Sequence, residues 1–206
     1  MKTIDADAVE KAVAAAEATT SAEIIVAINR RSGSYLDRNV IAATMAGLLA
    51  AGFMVVAPWW EFHPVWFLPD AVAIGVLSFL AVLLVRPLAR AIAGRRRMEA
   101  QATLYARNAF HLLSVSGTRE RTGLLVYVTL FEDRALLLAD FGIEGKIPPA
   151  RWLELAARAG SPSAADDPTT WLCGLIASCG AMLAEKLPPG DSNPDELPNR
   201  PCLEVL

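Results

Sequence analysis

From Asn39 to Trp60 the chain runs without a charged side chain, and from Ala71 to Val85 it does so again. A helix needs about 20 apolar residues, at 1.5 Å each, to cross about 30 Å of hydrocarbon. The first run meets that length. The second does so as Asp70 to Leu88, with Asp70 capping one end and Arg86 snorkelling at the other. A core helix of a small domain shows a polar stripe, and neither run has one. Between them Pro64 and Pro69 break the helix, and Trp59, Trp60 and Trp66 cluster as an interfacial aromatic belt does. The pattern predicts an antiparallel transmembrane hairpin over residues 39–90.

The flanking patterns are those of a soluble domain. Before the hairpin, Asp7 and Glu10 read as a capping box, D-x-x-E, opening a short helix with Val9, Val13 and Ala16 on one side. AEIIVAIN, residues 22–29, is dominated by β-branched side chains and reads as a strand. After the hairpin, Met98, Ala102, Tyr105, Ala109 and Leu112 recur at steps of four and three, the period of an amphipathic helix. Two apolar runs follow, Leu124–Leu130 and Ala135–Ala139, separated by Glu132, Asp133 and Arg134. They predict a β-hairpin with both strands buried on both faces. Pro148 and Pro149 open a helix with Trp152, Leu153, Ala156 and Ala159. Asp167 and Pro168 then cap one that buries Leu172, Leu175, Ile176, Cys179, Met182 and Leu183. The last segment, DSNPDELPNRPCLEVL, is expected to be extended or mobile.

The fold class is therefore α/β, a small sheet sandwiched between helices and interrupted by a two-helix transmembrane hairpin. Residues 1–38 form the first part of the α/β domain and 91–187 the second, with a Pro-rich tail over 188–206. Residues 22–29 should pair into the same sheet as 124–130, because a lone strand is not stable.

Composition agrees: 54% of residues are hydrophobic and mean hydropathy is +0.36. The 19 basic and 22 acidic residues leave no net basic face, so no nucleic-acid partner is expected. The arginines are clustered, however. Arg30, Arg31 and Arg38 precede the hairpin, and Arg86, Arg90, Arg95, Arg96 and Arg97 follow it. The loop between the runs has no Lys or Arg. The positive-inside rule then puts both flanks, and so both termini, in the cytoplasm and the loop outside. Arg95, Arg96 and Arg97 are candidates for anionic lipid headgroups in addition to that topological role. The N-terminus has no continuous apolar core and does not read as a secretory signal. Three cysteines without a CxxC pair suggest neither a disulfide framework nor a zinc site. His63, near Glu61 and Asp70, reads as solvated at the headgroup level.

The segments SAEIIVAI and RTGLLVYVTLFEDRALLLADFGIEGKIP, with WLCGLIASCGAMLAEKL more loosely, resemble the TPM domain family. The resemblance is to a bacterial membrane variant in which a two-span hairpin follows the first strand. It implies an α/β sandwich and, for some members, a divalent metal site and a proposed acid phosphatase activity. Asp133 and Arg134 match the family's turn, and Gly142, Glu144 and Gly145 the loop that follows. The transmembrane runs replace a segment on which such a site would draw.

No P-loop, nucleophile elbow, HExxH or dinucleotide fingerprint is present, and GTRERTG lacks the Lys-Ser/Thr end of a phosphate loop. Asp140 and Glu144 could converge across Gly142 on a divalent cation, Ca²⁺ or Mg²⁺. The plainer reading is solvated loop carboxylates. No catalytic residue is assigned. Two function classes result. One is a membrane-tethered, non-catalytic accessory or scaffold acting through the bilayer and an unidentified protein partner. The other, implied by the family resemblance alone, is a metal-dependent phosphatase-like hydrolase.

Overall fold

The computed structural model describes residues 4–56, 66–159, 162, 166–190 and 196–205. Trp59, Trp60, Glu61, His63 and Pro64 lie outside the described residues. The chain divides into two compact units, Met1–Ser32 with Ala100–Leu206, and Gly33–Glu99.

The first unit is built on a four-stranded sheet of β1 (Glu23–Asn29), β2 (Gly123–Thr129), β3 (Arg134–Ala139) and β4 (Cys202–Leu203), in the order β3-β2-β1-β4. β1 and β2 run parallel in register from Glu23↔Gly123 to Asn29↔Thr129. β2 turns back into antiparallel β3, with Asp133 at φ 59 in the left-handed conformation that Asp tolerates in turns. Parallel neighbours need a crossover connection, and here everything between Asn29 and Gly123 serves as one.

The strand alternation sorts side chains into two layers. Ile24, Val26, Ile28, Leu124, Val126 and Val128 face α1 (Ala6–Glu17) and α8 (Pro168–Ala184). Ile25, Ala27, Leu125 and Tyr127 form the other core with Ala106 and Ala109 of α5 (Arg95–Leu112), Val115 and Leu197. α8 buries the six residues expected of it, and Asp167 caps it by accepting from the Thr169 and Thr170 amides at 3.2 and 3.1 Å. Val115 belongs to a 3₁₀ turn, Val115–Gly117, lying against the start of β2.

Several expectations need correction. The N-cap of α1 is Asp5, which accepts from the Asp7 and Ala8 amides. Asp7 falls inside the first turn, where its charge suits the helix dipole. β3 is an edge strand and only half-buried, so it is not covered on both faces. α7 (Pro149–Ala159) turns Trp152 and Leu155 toward the core and leaves Leu153 and Ala156 exposed; Leu112 of α5 is exposed too. The tail is tied down. β4 pairs in parallel with β1, Ala27↔Cys202 and Ile28↔Leu203, and Leu197 is buried. The Glu23 carboxylate accepts from the Glu196 and Leu197 amides, each at 3.2 Å, and Asn29 Oδ1 from the Val205 amide at 3.1 Å. These anchors are hydrogen bonds to backbone, so the apolar pattern carries no trace of them.

The second unit contains α2 (Leu36–Val56), α3 (Phe67–Leu84) and α4 (Arg86–Ala93). Among the described residues α2 alone is long and apolar enough to cross a membrane by itself. Its apolar side chains are outward, with Leu48, Val55 and Val56 well exposed. The expected second straight span over 70–88 is instead a broken pair: α3 ends at Leu84, and α4 departs at 101°. Pro87 explains the break, because its ring clashes with the carbonyl four residues back and it brings no N–H. Asp70 sits in the first turn of α3 rather than at its cap. α2 and α3 approach backbone to backbone where Gly47 meets Ala71 and Gly75, a spacing that small residues allow in membrane helices. At the unit's polar end Arg97 donates to Asp37 at 2.6 Å and lies over the Tyr35 ring.

Candidate functional site

The carboxylates singled out in the sequence lie at one end of the sheet, where β2 begins and β3 ends. Asp140 caps the four-residue helix α6 (Phe141–Glu144), accepting from the Phe141 amide at 2.9 Å. The β2–β3 register carries on past the ladder: the Asp140 amide donates to the Gly123 carbonyl, and that of Gly142 to the Arg121 carbonyl. This brings Arg121 beside Asp140. Its Nε donates to Oδ2 at 2.6 Å and its Nη2 to Oδ1 at 2.9 Å, a two-pronged pair. The guanidinium also lies over the exposed Phe141 ring, 5.7 Å from its centre. Asp140 is 3% exposed and Arg121 51%. Glu144, one turn on, is exposed, and its amide donates to the Asp140 carbonyl. The two carboxylates therefore share a short helix, but the Asp140 oxygens already hold Arg121 and a backbone amide. Among the described residues no group of three or more His, Cys, Asp or Glu side chains could hold a metal ion.

The Arg121 hydrogen bond, opposed by burial, holds the Asp140 carboxyl below its usual range. A group with a lowered folded pKa stabilises the fold above its unfolded pKa, near 3.9, and loses that contribution as pH falls through the folded value. The wild-type chain should lose stability on acidification below about pH 4 more steeply than Asp140→Asn. Unfolding of both in mild detergent between pH 2 and 6 checks this. Parallel curves would refute the linkage.

The opposite end of the sheet holds a buried polar cluster that sequence reasoning did not assemble. Glu132, in the β2–β3 turn, accepts from the Ser32 amide with both oxygens, at 3.0 and 3.1 Å, and from the Thr129 hydroxyl. The Ser32 hydroxyl meets the Tyr127 phenol at 2.8 Å. Burial pushes the Tyr127 pKa up to about 12 and the Glu132 charge adds to this, while the Ser32 hydrogen bond works against them. The phenol therefore stays protonated at neutral pH. Asn29, fully buried, turns Oδ1 to the Val205 amide, and its Nδ2 finds no partner among the described residues. Burial likewise pushes the Cys179 thiol up to about 12, so it carries no thiolate.

Two more buried carboxylates follow the same rule. Glu17 accepts from the Ile24 amide at 2.7 Å, fixing the end of α1 to the start of β1, and Glu23 holds the tail. Each charge is compensated where it is buried, as it must be. Of the other acidic positions, Asp133 marks the hairpin turn and Asp37 belongs to the second unit with Arg97. Between α5, β3 and α7 a groove of roughly 720 Å³ is lined by Arg107, Phe110, Leu137, Glu144, Trp152 and Leu153.

No protein-family model matches the chain, and no curated protein does. Among solved structures, the NMR structure of BA42 protein from the psychrophilic bacterium Bizionia argentinensis is similar. It has a TM-score of 0.59 at 16% identity, over 98% of this chain and 96% of that one. The likeness is one of fold.

Proposed function

We propose that the chain is a membrane-anchored, TPM-like accessory or scaffold protein whose α/β unit works by contact with another protein and not by catalysis. The observation that carries this reading is the commitment of all four buried carboxylates just described. Glu17, Glu23 and Glu132 each accept hydrogen bonds from backbone amides of another segment, and Asp140 is held by the Arg121 guanidinium and the Phe141 amide. Phosphoryl transfer needs metal ions or arginines directed at the phosphoryl oxygens. Arg121, the arginine beside the expected metal pair, is spent on Asp140.

The anchor is read as two crossings of a bacterial inner membrane with both termini in the cytoplasm. A parity argument supports it. β1 precedes the apolar segment, β2 follows it, and the two are hydrogen-bonded neighbours in one sheet. A segment that leaves and returns to the same side crosses an even number of times. If α2 crosses, α3 must return the chain. Reporter fusions after Leu206 and within residues 62–68 test the orientation, and a C-terminal reporter active only in the periplasm refutes it.

The catalytic question is tested on the full chain in detergent micelles with a generic phosphate monoester, with and without Mg²⁺ or Ca²⁺. Hydrolysis is expected at the background rate in every case. A metal-dependent rate abolished by Asp140→Asn or Glu144→Gln would falsify the scaffold reading and establish the phosphatase-like hydrolase instead.

A further inference from the structure

The eight residues of α4, RPLARAIA, are separated from the helices on both sides. Val85, with ψ 94, ends α3, and Gly94, with φ 80 and ψ 135, separates α4 from α5. The Pro87 break turns the chain by 101°, nearly at right angles. At 100° per residue, Arg86 and Arg90 fall on one face of α4, and Leu88 and Ile92 on the opposite one. No acidic residue lies on it. Beyond Gly94, Arg95 pairs with Glu99 and Arg97 with Asp37.

We infer that α4 is an interfacial helix that lies in the plane of the cytoplasmic leaflet and binds anionic phospholipid headgroups through Arg86 and Arg90. The inference rests on the membrane reading above and adds to it a site and a ligand class. If α3 follows the bilayer normal, a helix leaving its end at a right angle lies along the surface. Such a helix is stable there when one face is apolar and the other cationic. Leu88 and Ile92 then dip toward the acyl chains while the guanidinium groups meet phosphates. Arginine suits that partner, because its planar fork matches phosphate oxygens and it stays charged at any physiological pH. The negative surface potential of an anionic leaflet attracts such residues, their positive charge in turn gathers anionic lipid beside them, and within a Debye length the effect is several-fold per arginine.

The experiment uses the full chain carrying Leu88→Trp, reconstituted into vesicles of phosphatidylcholine and phosphatidylglycerol at 3:1. One lipid or the other is brominated, at equal mole fraction of brominated chains. The unsubstituted protein, with five tryptophans of its own, gives the signal to subtract. Flotation first shows whether the protein enters the bilayer, and a chain left in the soluble fraction overturns both the membrane reading and this one. For a chain that floats, brominated phosphatidylglycerol should quench the added fluorescence about threefold more than brominated phosphatidylcholine. The ratio should fall toward unity when Arg86→Gln and Arg90→Gln are added. A floating protein whose added tryptophan neither lipid quenches, or which both quench alike with the arginines intact, overturns the interfacial helix and leaves the anchor standing. Ile92→Trp, on the same face, repeats the measurement should Leu88→Trp disturb folding.

Discussion

Gly123→Ala should destabilise the α/β unit by about 3 kcal/mol or more, a large part of the 5–15 kcal/mol typical of a folded domain. A Cβ at this position would overlap the Val115 carbonyl oxygen and lie 2.8 Å from Val115 Cγ1. The first of these is a backbone atom, so no rotamer change relieves it. β2 cannot slide away either, because it is paired to β1 on one side and β3 on the other. The 3₁₀ turn must move instead, and it takes the fully buried Val115 side chain out of its core. The full-length protein in mild detergent should melt about 10 °C lower than wild type, followed by circular dichroism. A midpoint within about 2 °C of wild type would show that the turn yields at little cost and that the packing argument is wrong.

Ending the chain after Gly190 should cost a comparable amount, on the order of 3–5 kcal/mol, and should also change the protein's association state. The loss has three parts. Leu197 leaves a core formed with Ile25 and Ala27. The Glu23 carboxylate, 4% exposed, loses two amide donors, and Asn29 loses the Val205 amide. A carboxylate stripped of donors in a buried place is expensive. The third part concerns association: β1 loses its β4 neighbour, and an open apolar edge recruits other strands. The shortened protein should therefore melt lower and elute at larger size on gel filtration as its concentration rises. Leu197→Ala separates the terms: it should cost about 2 kcal/mol and leave the edge covered. A shortened chain that melts with the wild type and stays monodisperse would mean that the tail merely lies along the sheet.

The two cases differ in how far the sequence foretold them. The β-branched run Ile24–Ile28 and the continuous apolar run Leu124–Leu130 are local signals of two strands, and the instability of a lone strand predicts that they share a sheet. The helix over Pro168–Ala184 was legible from the helical spacing of its six buried apolar residues, with Asp167 and Pro168 marking its start and buried Gly180 not foreseen. Arg121 was within reach but missed. Once the tight turn is centred on Phe131 and Glu132, antiparallel register sets residue 121 opposite 142, next to Asp140. The break in the second apolar run was signalled by Pro87, which a hydropathy average absorbs. The tail gave no signal at all. Its anchors are a buried Glu, a buried Asn and a two-residue ladder, contacts between positions far apart that leave no periodicity behind. The Glu132 cluster was hidden for a related reason: acidic residues in turns are commonly solvated, and only its neighbours in space make this one structural.

The division of the sheet also has a consequence for how the protein is made. The ribosome delivers β1 first, then the whole apolar hairpin and α5, and only then β2, the strand to which β1 bonds along its full length. At typical rates of translation the interval is on the order of ten seconds. During it EIIVAIN, an apolar strand with neither of its neighbours yet made, has nothing native to pair with. On the two-crossing reading proposed above, insertion and folding are steps in one assembly line: until a second crossing brings the chain back to the starting side, β2 emerges where β1 is not. A chain whose hairpin stalls in the translocon should consequently be cleared by quality control with its α/β unit unfolded, even though every residue of that unit has been synthesised correctly.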